Sequence, residues 1–151
     1  MSSDLYQNIV IATDGSANSQ RAISCGIKIA KLSGATVHVL YVLDTPSVIS
    51  EAWTAGKEML HEIMMNDGKK VMSKIKKSIE DSGVEVKEVL LEGHPSDEII
   101  NFAEKNNMDL IVMGTLGKTG LERFLMGSVA EKVVKCSKVP VLVVRNLSPE
   151  K

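Results

Sequence analysis

Gly114, Gly117, Gly127 and Ser128 are the residues of this sequence best suited to hold a phosphate. Gly114 closes an aliphatic run that reads as a buried strand, and Gly117 follows three positions later in a tight loop. Gly127 and Ser128 then precede the apolar helical segment Val129 to Cys136. Glycine lets a ligand approach the main chain and permits positive φ. The N–H groups at the start of the Ser128 helix would point at an anion, and the helix dipole adds a favourable field. The Ser128 hydroxyl offers one more hydrogen bond. Together these residues make a phosphate cradle, although any one glycine could merely make a turn.

Asp14 is the second constituent, in Thr13-Asp14-Gly15-Ser16 at the end of the first strand pattern. If that strand neighbours the Gly114 strand, the carboxylate lies beside the same crevice. It could accept from a ribose hydroxyl or help hold a divalent ion that neutralises phosphate charge. Asp14 and Ser16 are equally suited to capping the helix that follows. Gly117-Lys118-Thr119 imitates the end of a P-loop, but that motif needs glycine at position 112, and Val112 stands there. Lys118 therefore reads either as a phosphate contact or as a solvent-facing lysine.

Proton and redox chemistry are poorly supplied. Phosphoryl transfer needs positioned metal, charge clamps and an oriented nucleophile. Asp14, Lys118 and Arg123 are pieces of such a site, but nothing in the sequence makes them a set. His38 falls in a buried strand and reads as a core or hydrogen-bonded residue. His61 reads as solvent-facing, and His94 sits at a helix start near the end of the third strand. The three are too scattered for a metal centre. Cys25 and Cys136 lack CxxC spacing, fall in helical patterns and read as buried or inert thiols.

The elements that must position these residues alternate along the chain. Strand patterns cover Asn8 to Thr13, Thr36 to Leu43, Val84 to Leu91, Asp109 to Gly114 and Val139 to Val144. Helical spacing runs from Ser16 to Ser33, ended by Gly34. Glu51 to Ser82 is a longer helical stretch, ended by Gly83. Gly56 and Gly68 predict a mobile or kinked first part, Glu51 to Asn66, and a firm helix from about Asn66. Its methionines, Met59 to Met72, read as core packing or as an adaptable partner surface. A third helix starts at Pro95 with Asp97 and Glu98 in its first turn and runs to about Asn107. A fourth helical region, Leu121 to Cys136, is interrupted by Gly127. Strands joined by helical crossovers predict an α/β fold, a doubly wound five-stranded parallel sheet with helices on both faces. Such a sheet has a ligand crevice at the strands' C-terminal ends, where the winding reverses. No linker or repeat divides residues 1–151, so a single nucleotide-binding domain is expected.

Pro140 suits an edge strand or a strand start. An aliphatic edge is an aggregation hazard, so Val139 to Val144 predict a homodimer paired through the last strand. The 151 residues can bury a sizeable core, and the apolar fraction of 44% is that of a globular protein. Aromatics are 3%, too few for a nucleic-acid stacking platform. With 18 basic against 19 acidic residues, net charge −1, no nucleic-acid or membrane partner is expected. No signal segment or membrane-length apolar run appears, which predicts a cytoplasmic protein.

The chain resembles the ATP-binding branch of the universal stress protein family. The likeness runs from Asn8-Ile9-Val10-Ile11-Ala12-Thr13-Asp14-Gly15-Ser16 to Val139-Pro140-Val141-Leu142-Val143-Val144. The family's ATP motif is glycine, two residues, glycine, nine residues, glycine, then serine or threonine. Gly114, Gly117, Gly127 and Ser128 match it without a gap. The resemblance implies the strand order 3-2-1-4-5, and a nucleotide faced by Asp14 and read at its adenine edge by the backbone of Val42. It also implies that Gly114 and Gly117 line the ribose and phosphates, that Gly127, Ser128 and Val129 hold the phosphates, and that Thr13 and Met113 flank base and sugar. Dimerisation through the last strand is common in the family. The implied cofactor is ATP with Mg2+ or Mn2+. The expected function is an ATP-binding regulatory or stress-response sensor with an adenine nucleotide and an unidentified protein as partners. The alternatives are a slow ATPase or phosphotransferase, a module for AMP or another adenylated ligand, and a chaperone-like dimer with an empty crevice.

Overall fold

The computed structural model describes residues 5–44, 56–115 and 126–145. Five strands alternate with helices: β1 (Asn8–Thr13), α1 (Gln20–Ser33), β2 (Thr36–Leu43), α2 (Gly56–Asp81), β3 (Val86–Glu92), α3 (Pro95–Lys105), β4 (Leu110–Gly114), α4 (Ser128–Cys136) and β5 (Val141–Val144). A 3-10 turn, Ala17–Ser19, leads into α1. The strands form one parallel sheet in the order β3-β2-β1-β4-β5. The doubly wound sheet and its predicted order are therefore observed. The winding reverses between β1 and β4, where a ligand crevice forms in such sheets.

Two apolar layers enclose the sheet. Ile9 and Ile11 of β1 join Ala22, Ile23, Met72 and Ile79 on the α1/α2 face. Val10 and Ala12 join Ile99, Ala103, Ala130 and Val133 on the α3/α4 face. This is strand alternation applied to a run apolar at every position, which only a sheet covered on both sides can bury. Ile9, Val10 and Ile11 are wholly buried. Each such side chain contributes roughly 1.5–3 kcal/mol relative to exposure.

Asp109 sets the start of the two central strands. Its Oδ2 accepts the N–H groups of Gln7 and Asn8, both at 2.8 Å, before the register Ile9↔Leu110 begins. The predicted β3 began at Val84, but pairing starts at Val86. Val84 is buried in the α1/α2 layer ahead of the ladder, so its apolar signal reflects core packing rather than strand pairing. β3 and β5 are the sheet's edges, and Pro140 directly precedes β5, where its missing N–H disrupts no ladder bond.

The long helix corrects one expectation. Residues 51–55 lie outside the described residues, but α2 is one helix from Gly56 to Asp81, not a helix that begins near Asn66. Gly68 does not break it because it faces inward. Even a Cβ there would make only ordinary contact, 3.4 Å from Leu90 and 3.5 Å from Leu43, so this turn is held by its packing on the sheet. His61 Nε2 also meets Glu92 Oε2 at 2.9 Å, which fastens the early turns to the end of β3. The methionines divide along the helix: Met72 is core, Met64 and Met65 pack against it, and Met59 is exposed. Cys25 is half-buried, and Cys136 is exposed, not buried; both are free.

Gly26 is the close-approach point of α1. A Cβ there would lie 2.4 Å from Ile11 Cδ1 and 2.8 Å from its Cγ1. Ile11 is wholly buried and has nowhere to retreat. Gly26→Ala should therefore destabilise the fold by about 1–3 kcal/mol in urea unfolding, despite the roughly 1 kcal/mol helix-propensity gain. Equal or greater stability would contradict this packing.

His38 is half-buried, 3.3 Å from Asn8 Oδ1 and with its ring tilted 6.2 Å from Phe102. Burial, then nearby Lys87, hold its pKa below the ordinary 6.5, against an opposing pull from Glu85. A lowered folded pKa means the unfolded chain takes the proton first. The stabilising contribution is thus complete above pH 6.5 and lost as pH falls through the depressed folded value. His38→Gln should flatten the fall in urea midpoint between about pH 7 and 5. An unchanged slope would show that His38 does not carry it.

Candidate functional site

The central strands end at one level. Register pairs Thr13 with Tyr41 across β1 and β2, and Ile11 with Val112 across β1 and β4. Carried on by two residues, the second register sets Thr13 level with Gly114. Gly114 pairs with Val144 on the other side. Asp14, Val42, Met113 and Gly114 thus share the sheet's C-terminal edge at the winding reversal.

Thr115 brings α4 to the same place. Its N–H donates to Val144 O at 3.2 Å, and its carbonyl accepts the Gly127 N–H at 2.7 Å. Gly127 is the N-cap of α4, with extended backbone (φ −63°, ψ 160°) and no side-chain cap. The first helical bond is Glu131 N–H to Gly127 O, at 2.9 Å. The amides of Ser128, Val129 and Ala130 precede that bond, so the helix itself gives them no acceptor. Gly127 is buried and Ser128 exposed at the mouth of the turn.

The β1–α1 loop is built by short polar side chains. Ser19 Oγ donates to Ser16 O at 2.8 Å, so the Thr13 hydroxyl supplies the proton of its 2.8 Å bond with Ser19 Oγ. Thr13 Oγ1 also accepts the Gly15 N–H at 3.0 Å. Asp14 Oδ1 accepts the Ser16 N–H at 2.9 Å, which closes an Asx turn and leaves a second carboxylate oxygen. Gly15 has φ +81°, and a Cβ there would stand 3.0 Å from Val71 and 3.4 Å from Tyr41. Glycine is thus required both by the turn and by its closeness to α2. Ser16 Oγ is buried without a hydrogen-bond partner among the described residues.

Strand alternation sorts the named residues by face. Thr13 continues the Ile9 and Ile11 side, toward α1, and its hydroxyl is spent inside the loop. Val42, Met113 and Val129 belong to the α3/α4 layer, with Met113 buried and the other two packed at its margin. Leu43 O accepts the Gly93 N–H at 2.9 Å, on the β3 side. Alternation then turns the Val42 carbonyl toward β1, one step past the last β1–β2 pair.

The structure thus brings together Asp14, Val42, Met113, Gly114, Gly127, Ser128 and Val129. Gly117 lies outside the described residues, as do Lys118 and Arg123. His94 is the exposed N-cap residue of α3 and makes no side-chain cap. His61 is only partly exposed and is held by Glu92. No cluster of three metal-ligating side chains occurs among the described residues. No helix among them is long and apolar enough to cross a membrane. Sequence reasoning missed Thr115 and Ser19. Ser19 was legible in part, because Ser16 and Ser19 stand three apart at a helix start. Thr115 acts through its main chain, which leaves no mark in residue type.

The universal stress protein family model matches residues 5–145. Universal stress protein MJ0531 of Methanocaldococcus jannaschii is 46% identical over 147 residues, covering 97% of this chain and 86% of that protein. The solved structure of MJ0577, from the same organism, superposes with a TM-score of 0.86 at 34% identity, covering 96% of this chain and 99% of that one. A universal stress protein from Archaeoglobus fulgidus, solved in complex with dAMP, superposes with a TM-score of 0.66 at 27% identity, covering 92% and 98%. The chain belongs to the universal stress protein family.

Proposed function

We propose that the chain is an ATP-binding regulatory protein of the stress response, acting as a nucleotide-dependent sensor. The observation that carries this reading is the first turn of α4, which begins at a glycine with no side chain to cap it and is fastened by Thr115 at the end of β4. Convergent amides at a helix N-terminus favour an anion. The phosphates would lie on Gly127, Ser128 and Val129, with Gly114 and Gly117 lining their approach. Asp14 would accept from the ribose, and the Val42 main chain would meet the adenine edge. Met113 and Val129 supply an apolar wall for the base and sugar, and Thr13 shapes the loop from behind. The buried, unpaired Ser16 hydroxyl supports a polar occupant nearby, since such groups ordinarily have partners.

A metal would be held mainly by the phosphates. Mg2+ commonly takes one or two carboxylates, and phosphate oxygens with water for the rest. Asp14 fits such a lone ligand, and Mn2+ would bind in the same manner. Metal bound there would neutralise phosphate charge. Sensing is favoured over turnover because His38 and His61 are engaged with Asn8 and Glu92, away from the cradle. The edge position of β5 supports a homodimer paired through Val139 to Val144. A cytoplasmic location accompanies this reading. The relative solved with dAMP favours one second reading, a site for an adenosine monophosphate.

Titration calorimetry with ATP, AMP and NAD tests the ligand. ATP should bind more tightly than AMP or NAD. Tight AMP beside weak ATP would transfer the assignment to the monophosphate, and no binding of any of them would overturn it. Gly127→Val should abolish ATP binding while circular dichroism shows the fold retained. Ser128→Ala should weaken ATP binding by about 0.5–3 kcal/mol, the scale of one hydrogen bond to a charged group. Full affinity in both variants would place the phosphates elsewhere. Sedimentation at micromolar concentration should give a dimer, and a lone monomer would refute pairing through β5.

A further inference from the structure

The face made by α1 and α2 carries charge that the nucleotide reading does not use. α1 has three cationic residues, Arg21, Lys28 and Lys31, and no acid. Residues 68–79 of α2 have five lysines and no acid. Eight positive charges therefore lie on these segments of a chain whose net charge is −1, which leaves −9 for the rest. Lys70, Lys74 and Lys77 recur at i, i+4 and i+7, so they form one stripe, and all three are exposed, as are Lys28 and Lys31 on α1. None of these five has an acidic partner among the described residues, whereas Lys76 lies 3.9 Å from Glu80.

A groove opens beside the stripe. Gln20 and Ile23 of α1 and Lys74, Ile75 and Ser78 of α2 line a cavity of about 130 Å³. Ile23 and Ile75 give it an apolar floor, and Lys74, Gln20 and Ser78 give it a polar rim. That volume suits one aliphatic side chain. We infer that this face docks an acidic segment of a partner protein, with one aliphatic side chain seated between α1 and α2 and flanking carboxylates on Lys70, Lys74 and Lys77.

The chemistry of the face selects this occupant. No aromatic side chain stands on α1 or residues 68–79 to stack a base, so single-stranded nucleic acid lacks its platform. The one arginine there, Arg21, donates to Arg145 O at 3.1 Å. A membrane surface needs a cluster of protruding apolar side chains, and on α1 and residues 68–79 Leu32 alone protrudes, while Ile23 is recessed at 6% exposure. Carboxylates that flank the seated side chain on a flexible segment can reach the lysine stripe along the α2 side of the groove, and the docking would weaken with salt.

The probe is a fluorescein-labelled nonapeptide with a central leucine flanked on each side by four glutamates, read by anisotropy against the full-length protein. It should bind in low salt and be released as salt rises to about 0.3 M. The Lys70→Gln, Lys74→Gln, Lys77→Gln triple variant should bind at least tenfold more weakly and keep the wild-type circular dichroism and ATP affinity. The control triple Lys105→Gln, Lys135→Gln, Lys138→Gln should bind as wild type does. Replacing the leucine by serine should cost a further severalfold. Four results would overturn the inference: no peptide binding, equal loss in both triple variants, tighter binding of oligouridylate or phosphatidylserine vesicles, or salt-sensitive self-association that the first triple variant abolishes.

Discussion

Thr115 holds the candidate site together through two main-chain hydrogen bonds. Its N–H reaches the end of β5, and its carbonyl takes the Gly127 N–H at the entrance to α4. The second bond fixes where the helix begins. Without it the first-turn amides of α4 would have no defined relation to the edge of β4, and a helix N-terminus attracts charge only within its first turn. The anchoring works because β1 and β4 are in register from Asp109 onward, which brings the Thr13–Ser19 loop and Gly114 to a common level.

The two sides of the sheet divide the work. On the α3/α4 side the residues at the edge are apolar: Met113 is buried, and Val42 and Val129 pack at the margin of that layer. On the α1/α2 side the edge is closed by a polar loop in which Thr13, Ser19 and the Ser16 carbonyl bond to one another, while the Ser16 hydroxyl is left without a partner among the described residues. Asp14 stands where the two meet, with one oxygen committed to the Ser16 amide. A carboxylate fixed in this way is positioned before any ligand arrives, which reduces the ordering cost of binding.

The fold was legible because aliphatic runs of strand length alternate with helical periods. β1 and β2 run from the expected first to the expected last residue. Legibility failed where glycine had two readings. Gly68 looked like a weak point, yet it is buried against the sheet, and that packing carries the helix through it. Val84 looked like a strand start because burial, not ladder pairing, sets hydrophobicity. At the site, residue types pointed to Asp14 and to the glycines. They could not reveal that the Thr13 hydroxyl faces α1, nor that Thr115 acts through its backbone. Cys136 shows the limit from the other side: it read as a buried or inert thiol, and of these burial does not hold, because the residue is exposed on α4.

Amide NMR of nitrogen-15-labelled protein during an ATP titration bears most directly on the role given to the start of α4. The largest shifts should fall on Thr115 and on Gly127 to Ala130, with Asp14 and Val42 next. Saturating ATP that leaves Gly127 to Ala130 unmoved, or that perturbs only the lysine-rich face of α1 and α2, would contradict it.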